Sequence, residues 1–220
     1  MVKVAIAGGT GVMGRTLVDV LTAYAFGING TSLSVSQANL IKAAEKSSTT
    51  SLERAVVHNG TFLESHYNHG TLVIDILHAK AGIPGTGDEL ITLTYTFDAA
   101  RFVIAALALP EWPRELRVAG ETLTFNQLII LAENATGKKF DVKYDSLETL
   151  KQSRITELPG HMNDYKKYPK EVLLPFLSIF QRWMAEGFAF IPVEGSLNEK
   201  FPDIKPLTAQ ELMQKHWKSL

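Results

Sequence analysis

Gly8, Gly11 and Gly14 stand three residues apart, directly after the apolar run Val4-Ala5-Ile6-Ala7 and directly before a segment with Met13, Leu17, Val20 and Leu21 at helical spacing. A strand that runs through such glycines into a helix can cradle a diphosphate. Gly8 lets the chain turn off the strand, Gly11 lets backbone approach the phosphates, and Gly14 lets the helix press on the strand. The free N–H groups and partial positive charge at the helix N-terminus supply the attraction for an anion. Gly8, Thr10, Gly11, Val12, Met13 and Gly14 are therefore the candidate residues for holding a dinucleotide.

A second chemical cluster is His58-Asn59-Gly60, at the end of the apolar stretch Ala55-Val56-Val57. Asn59 joins the candidate cofactor-binding set there, and a plain turn is the competing reading. His66 and His69 are spaced so that a helix would put both on one face, with His58 and His78 elsewhere in the chain, but no glutamate motif accompanies them. Solvated loop histidines are the expectation, and no metal. There is no cysteine, hence no disulfide, no thiolate nucleophile and no sulfur-ligated metal. No Gly-x-Ser-x-Gly elbow occurs. Tyr24, Tyr67, Tyr95, Tyr144, Tyr165 and Tyr168 all lack a lysine four residues later, the pairing that lowers a phenol for proton transfer.

The elements that must position these residues follow from periodicity and punctuation. The 220 residues, 45% hydrophobic, suffice for a real core. A formal net charge of -1 supplies no field for nucleic acid or an anionic membrane, so neither is an expected partner. No apolar run approaches the length of a membrane span and no secretory leader is apparent, which gives a cytoplasmic expectation. Residues 34–46 read as a helix opened by the capping pattern Ser34-Val35-Ser36-Gln37. Residues 55–58 read as a short buried strand, 71–76 as another, and 91–97 as an alternating strand with one wet face, with a hairpin at 83–88. Asp98 is read as the cap of a helix that turns Phe102, Ala105, Ala106 and Leu109 inward and ends at Pro110 and Pro113. Thr124-Phe125-Asn126-Gln127 is a capping box for a helix closed by Gly137, and Phe140, Val142 and Tyr144 alternate as a strand. Pro169 opens a helix stopped by Gly187, with Phe176, Ile179, Phe180, Trp183 and Met184 on one face. That stripe reads as core first and as the roof of a substrate cleft second. Thr208-Ala209-Gln210-Glu211 opens the last helix.

Taken in order, these segments resemble the NmrA-like and isoflavone-reductase-like family of atypical short-chain dehydrogenases, fungal members in particular. The matching blocks are residues 2–21 with Gly8-Gly9-Thr10-Gly11-Val12-Met13-Gly14, residues 34–46, Val56-Val57-His58-Asn59-Gly60, residues 95–103, residues 120–137 and residues 197–207. The resemblance implies an α/β fold: a reduced Rossmann-like parallel sheet with a small α+β C-terminal lobe, divided as a core at 1–110 and a substrate lobe at 111–220. It implies a nicotinamide cofactor, NADPH ahead of NADH, while the residues themselves choose neither.

The blocks leave out two stretches that matter chemically. Only the twelve residues 22–33 separate the first helix from the second, and they hold no strand–helix–strand unit. A ribose-reading acid or arginine is expected about 20 residues past the glycines, and residues 32–37 carry no charge. In isoflavone-reductase-type enzymes the interval after the second helix supplies a catalytic lysine; here it is the eight residues 47–54, with no lysine. Lys42 and Lys46 belong to the preceding helix and cannot inherit the role. The catalytic residues are thus unassigned. Without its flanking strands, the first strand at 2–7 has an open edge, which residues 25–28, the strand around Val56, or a second copy in a homodimer would cover.

Three readings stay open from sequence. One is an NAD(P)H-dependent oxidoreductase acting on a small aromatic or polyketide-like molecule. Another is a non-catalytic dinucleotide-sensing or protein-interaction regulator. The third is an inactive, shortened form of a longer reductase.

Overall fold

The computed structural model describes residues 55–66, 72–166 and 168–217. Gly8, Thr10, Gly11, Val12, Met13 and Gly14, the helices expected over 13–21 and 34–46, and the strand pairings expected for 2–7 lie outside them.

The described chain opens with β1 (Val56–His58), β2 (Thr61–Phe62) and a 3-10 turn at Leu63–His66. β3 (Ile74–Asp75), β4 (Lys80–Pro84) and β5 (Leu90–Thr94) come next, and α1 (Thr96–Ala106) follows. Beyond it lie β6 (Glu115–Arg117), β7 (Glu121–Thr124), α2 (Phe125–Thr136), β8 (Asp141–Asp145) and α3 (Leu147–Lys151). A second 3-10 turn at Pro159–Asn163 leads to α4 (Lys170–Ala185), α5 (Leu197–Lys200) and α6 (Ala209–His216).

β1 runs parallel to β6, β2 parallel to β5, and β4 parallel to β8, while β7 closes on β5 and β3 on β4 in antiparallel fashion. Parallel neighbours need crossover connections, and α1 and α2 lie within two of them. This is the mixed α/β architecture expected, with strand pairs linking residues on both sides of position 110. The main core gathers Leu63, Ile74, Ile83, Ile91, Leu93, Phe125, Leu128 and Met213; a smaller one joins Phe102 and Ala106 of α1 to Leu116, Val118 and Leu197.

The capping boxes form as predicted: Thr124 accepts from the Gln127 backbone N–H and Thr208 from that of Glu211, with the reciprocal contacts present. α2 ends at Gly137 with φ +69°. Several expectations change. β1 is not buried: only Val57 turns toward the Phe102 cluster, while Val56 and His58 share an exposed face. The strand expected over 71–76 contracts to Ile74–Asp75.

The expected alternating strand ends at Thr94, and Ile91, Thr92, Leu93 and Thr94 are all buried, because β5 is the middle strand of its sheet. Its threonines looked like a wet face, but their hydroxyls are satisfied internally; Thr94 Oγ1 accepts from the Gly120 backbone N–H at 3.0 Å. No hairpin forms at 83–88, since β4 and β5 belong to different sheets and Gly85 donates its N–H to Asp145 O. Asp98 is not the cap of α1. It lies inside the first turn and accepts from the Leu207 N–H and from Arg101, while the carboxylate of Glu64 reaches across to the Thr96 N–H at 3.1 Å and its hydroxyl at 2.5 Å. A glutamate distant in sequence caps the helix that the local pattern assigned to Asp98.

Candidate functional site

The carboxyl end of β1 carries His58 and Asn59, and Gly60 turns the chain into β2 with φ +66°. A Cβ at Gly60 would lie 2.3 Å from Thr92 O, so both the left-handed backbone and the close approach require glycine there. The turn is held from two directions: Thr61 Oγ1 donates to Thr92 O of β5 at 3.3 Å, and Val118 N–H, just past β6, donates to His58 O at 2.8 Å. The Asn59 amide makes one long contact, Nδ2 to Gly60 O at 3.5 Å, and so retains hydrogen-bonding capacity among the described residues.

Opposite this turn stands α4. Leu173, Ser178, Gln181 and Met184 face inward, whereas Phe176, Ile179 and Trp183 are about half exposed. The stripe is therefore divided: Met184 and the packed side of Phe180 belong to the core, as its first reading held, while Phe176, Ile179 and Trp183 form an open face. Phe176, Phe180 and Trp183 stack edge to face at centroid distances of 5.1 and 5.5 Å, which fixes their rings as one surface. Gly187 (φ +84°) stops the helix, and the segment that follows is tied back beneath the turn. Thr92 N–H donates to Ala189 O at 2.9 Å, and Ile191 N–H donates to Thr92 Oγ1 at 2.8 Å. Thr92 thus joins both walls.

Between the walls lies a cleft of about 340 Å³. Val57, His58, Asn59, Gly60 and Thr61 form one side; Phe180, Trp183, Met184, Phe188, Ala189 and Ile191 form the other. Among the described residues no carboxylate, lysine or arginine lines it, and the polar side chains of the lining all sit on the β1–β2 side. Such a lining suits an uncharged ligand with a flat apolar body and a hydrogen-bonding edge. The carboxyl end of a parallel strand is also where open α/β sheets place ligands.

Of the sequence candidates, Asn59 is brought to this cleft and His58 stands beside it, with Nε2 3.9 Å from a Glu115 carboxylate oxygen. The glycine cradle lies outside the described residues. His78 is elsewhere, on the β3–β4 turn, with Nδ1 2.9 Å from the buried Asp75 carboxylate, which also accepts from Gly160 N–H at 2.7 Å. Tyr95, at the carboxyl end of β5, is pushed above its ordinary range by burial and then by Glu64 and Asp98, so it stays protonated. Sequence reasoning missed Thr92, Phe188 and Ile191. Only Gly187 hinted that the chain after α4 doubles back.

No family model matches the chain. Among curated proteins it is 31% identical over 175 residues to Oxidoreductase BOA1 of Botryotinia fuckeliana, covering 74% of this chain and 54% of the relative. It is 30% identical over 155 residues to Oxidoreductase swnN of Metarhizium robertsii, covering 66% and 43%. The chain spans about half the length of these curated relatives. Among solved structures, an isoflavone reductase superposes with TM-score 0.58 at 19% identity, over 81% of this chain and 56% of that one. A leucoanthocyanidin reductase–NADPH complex from Vitis vinifera gives 0.57 at 10% identity, over 96% and 75%. These findings agree with the resemblance drawn from the ordered blocks: the chain is similar in sequence to fungal oxidoreductases and shares its fold with isoflavone-reductase-like proteins.

Proposed function

We propose that the protein is an NAD(P)H-dependent oxidoreductase that reduces a small, uncharged aromatic or polyketide-like carbonyl compound in the cleft between His58–Thr61 and α4. The observation that carries this reading is the division of the cleft into a hydrogen-bonding wall at the end of β1 and an aromatic wall on α4, with no carboxylate, lysine or arginine among the described lining residues. NADPH is the preferred cofactor in this reading, supported by the NADPH bound in the leucoanthocyanidin reductase structure.

The donor set fits the nicotinamide end of such a cofactor. A primary amide both donates and accepts, and the Asn59 side chain offers the same pair to a carboxamide. The cleft volume lies at the small end of the range of ligand sites, enough for a ring and a compact partner. When bound, the cofactor supplies a hydride. Asn59 orients the ring edge, the Phe180–Trp183 surface holds the flat body of the substrate, and Met184 and Ala189 close the floor against water. Thr92 keeps the two walls in register. Gly8 to Gly14 would hold the diphosphate, as their spacing predicts.

Turnover tests this. A panel of aromatic ketones, enones and quinones with NADPH should include substrates whose KM rises about 10-fold in Trp183→Ala, because an aromatic contact of that kind is worth on the order of 1–2 kcal/mol. A panel with no turnover at any cofactor concentration, or a KM indifferent to Trp183, would remove the reading.

A further inference from the structure

The interval 47–54 holds no lysine, and no tyrosine is followed by a lysine four residues later, to deliver the proton that carbonyl reduction consumes. We infer that His58 is the proton donor of this site, an assignment that rests on the oxidoreductase reading above. Among the described residues lining the cleft, His58 is the only one whose side chain exchanges a proton near neutral pH. Thr61 directs its hydroxyl to Thr92 O, and the Asn59 amide binds without transferring a proton.

The surroundings of His58 suit the role. It ends β1 on the strand's exposed face, so its side chain, 43% exposed, keeps contact with solvent for reprotonation. Across the parallel pair with β6, Glu115 stands on the same face with Oε2 3.9 Å from Nε2. Arg117, opposite His58 in the register, shares that exposed face with Glu115. The Val118 N–H to His58 O bond at 2.8 Å fixes the backbone from which the ring reaches.

The step balances. As hydride reaches the carbonyl carbon from the dihydronicotinamide, the C=O π pair moves to oxygen, and the oxygen takes the ring N–H proton of the His58 imidazolium. The product is the alcohol, the reductant leaves as oxidised nicotinamide, and the neutral imidazole regains its proton from water.

Two measurements test the assignment. In steady-state reduction of a neutral aromatic ketone to its alcohol, the wild-type rate should fall as pH rises. His58→Gln should lose about 100-fold in kcat with a flat profile and an unchanged cofactor affinity, and added imidazole should restore rate to His58→Ala. Independently of turnover, the His58 C2–H proton resonance of the wild-type protein should shift, and its titration midpoint move, when NADP+ and a carbonyl substrate analogue occupy the cleft. Wild-type turnover matched by His58→Gln with the same pH profile would overturn the donor assignment alone. A His58 resonance that ignores both ligands would overturn it too, even if the variants failed to fold. Absence of any wild-type turnover would overturn the site reading and this assignment together.

Discussion

The two walls of the cleft are built on opposite principles. The β1–β2 wall is set by backbone: Gly60 at φ +66° with no space for a Cβ, and a turn held by hydrogen bonds to β5 and to Val118. The α4 wall is set by side chains: three aromatic rings in edge-to-face contact on a helix whose inner face alone is packed. At Gly60 one wall admits almost no side chain without damage to the fold. The other can vary while the fold persists, which is the arrangement expected where hydrogen-bonding geometry must be kept and apolar shape adapts to the ligand.

The sharpest break of this contrast is Gly60→Ala. Strain at a positive φ adds to a 2.3 Å contact with Thr92 O, for a loss on the order of 3 kcal/mol, read as a melting temperature lower by about 10 °C. Next comes Thr92→Val. It strips the acceptor from Ile191 N–H in a fully buried position, at a cost of about 1–3 kcal/mol, and should loosen both walls at once, so ligand affinity falls together with stability. Trp183→Ala should do the reverse on the facing wall. Its ring is 49% exposed, so denaturant midpoints should scarcely move while affinity for an aromatic ligand drops about 10-fold. Equal stability losses in Gly60→Ala and Trp183→Ala would dissolve the distinction.

The smallest effect concerns the approach to α4. Hydrogen bonds from Lys170 and Tyr165 hold the Glu157 carboxyl below its ordinary value of 4.5, and burial with the Glu157 hydrogen bond pushes the Tyr165 phenol up. A carboxyl whose value is lowered by folding stabilises above its unfolded value and loses that contribution as pH falls through the folded one. Acid titration from pH 5 downward should therefore destabilise the wild type slightly more than Glu157→Gln, by a modest amount given the exposure of the pair.

How far the sequence could be read depended on whether the signal was local. The boxes at Thr124–Gln127 and Thr208–Glu211 and the stop at Gly137 are complete within four or five residues, and they form as predicted. The cap of α1 was misread because its partner, Glu64, is 32 residues away. The threonines of β5 misled because alternation reports polarity, not exposure; hydroxyls bonded within a central strand look the same in sequence as hydroxyls in water. The aromatic stripe of α4 showed a helix face without showing what covers it: Met184 and part of Phe180 pack into the core, while Phe176, Ile179 and Trp183 stay open. The strand end that brings Asn59 and His58 to the cleft was legible because a turn after a strand is a local pattern. Thr92, which joins the walls, was not, because its partners Thr61 and Ile191 lie in separate segments.

The central claim is that this cleft receives the nicotinamide end of a dinucleotide whose diphosphate rests on the glycines at 8–14. Titration of NADPH and NADH into the protein, followed by nicotinamide fluorescence, tests it most directly. Saturable enhancement that Gly11→Asp abolishes and Asn59→Ala weakens about 10-fold is the predicted result. No binding at millimolar cofactor, or binding untouched by both substitutions, would contradict the account.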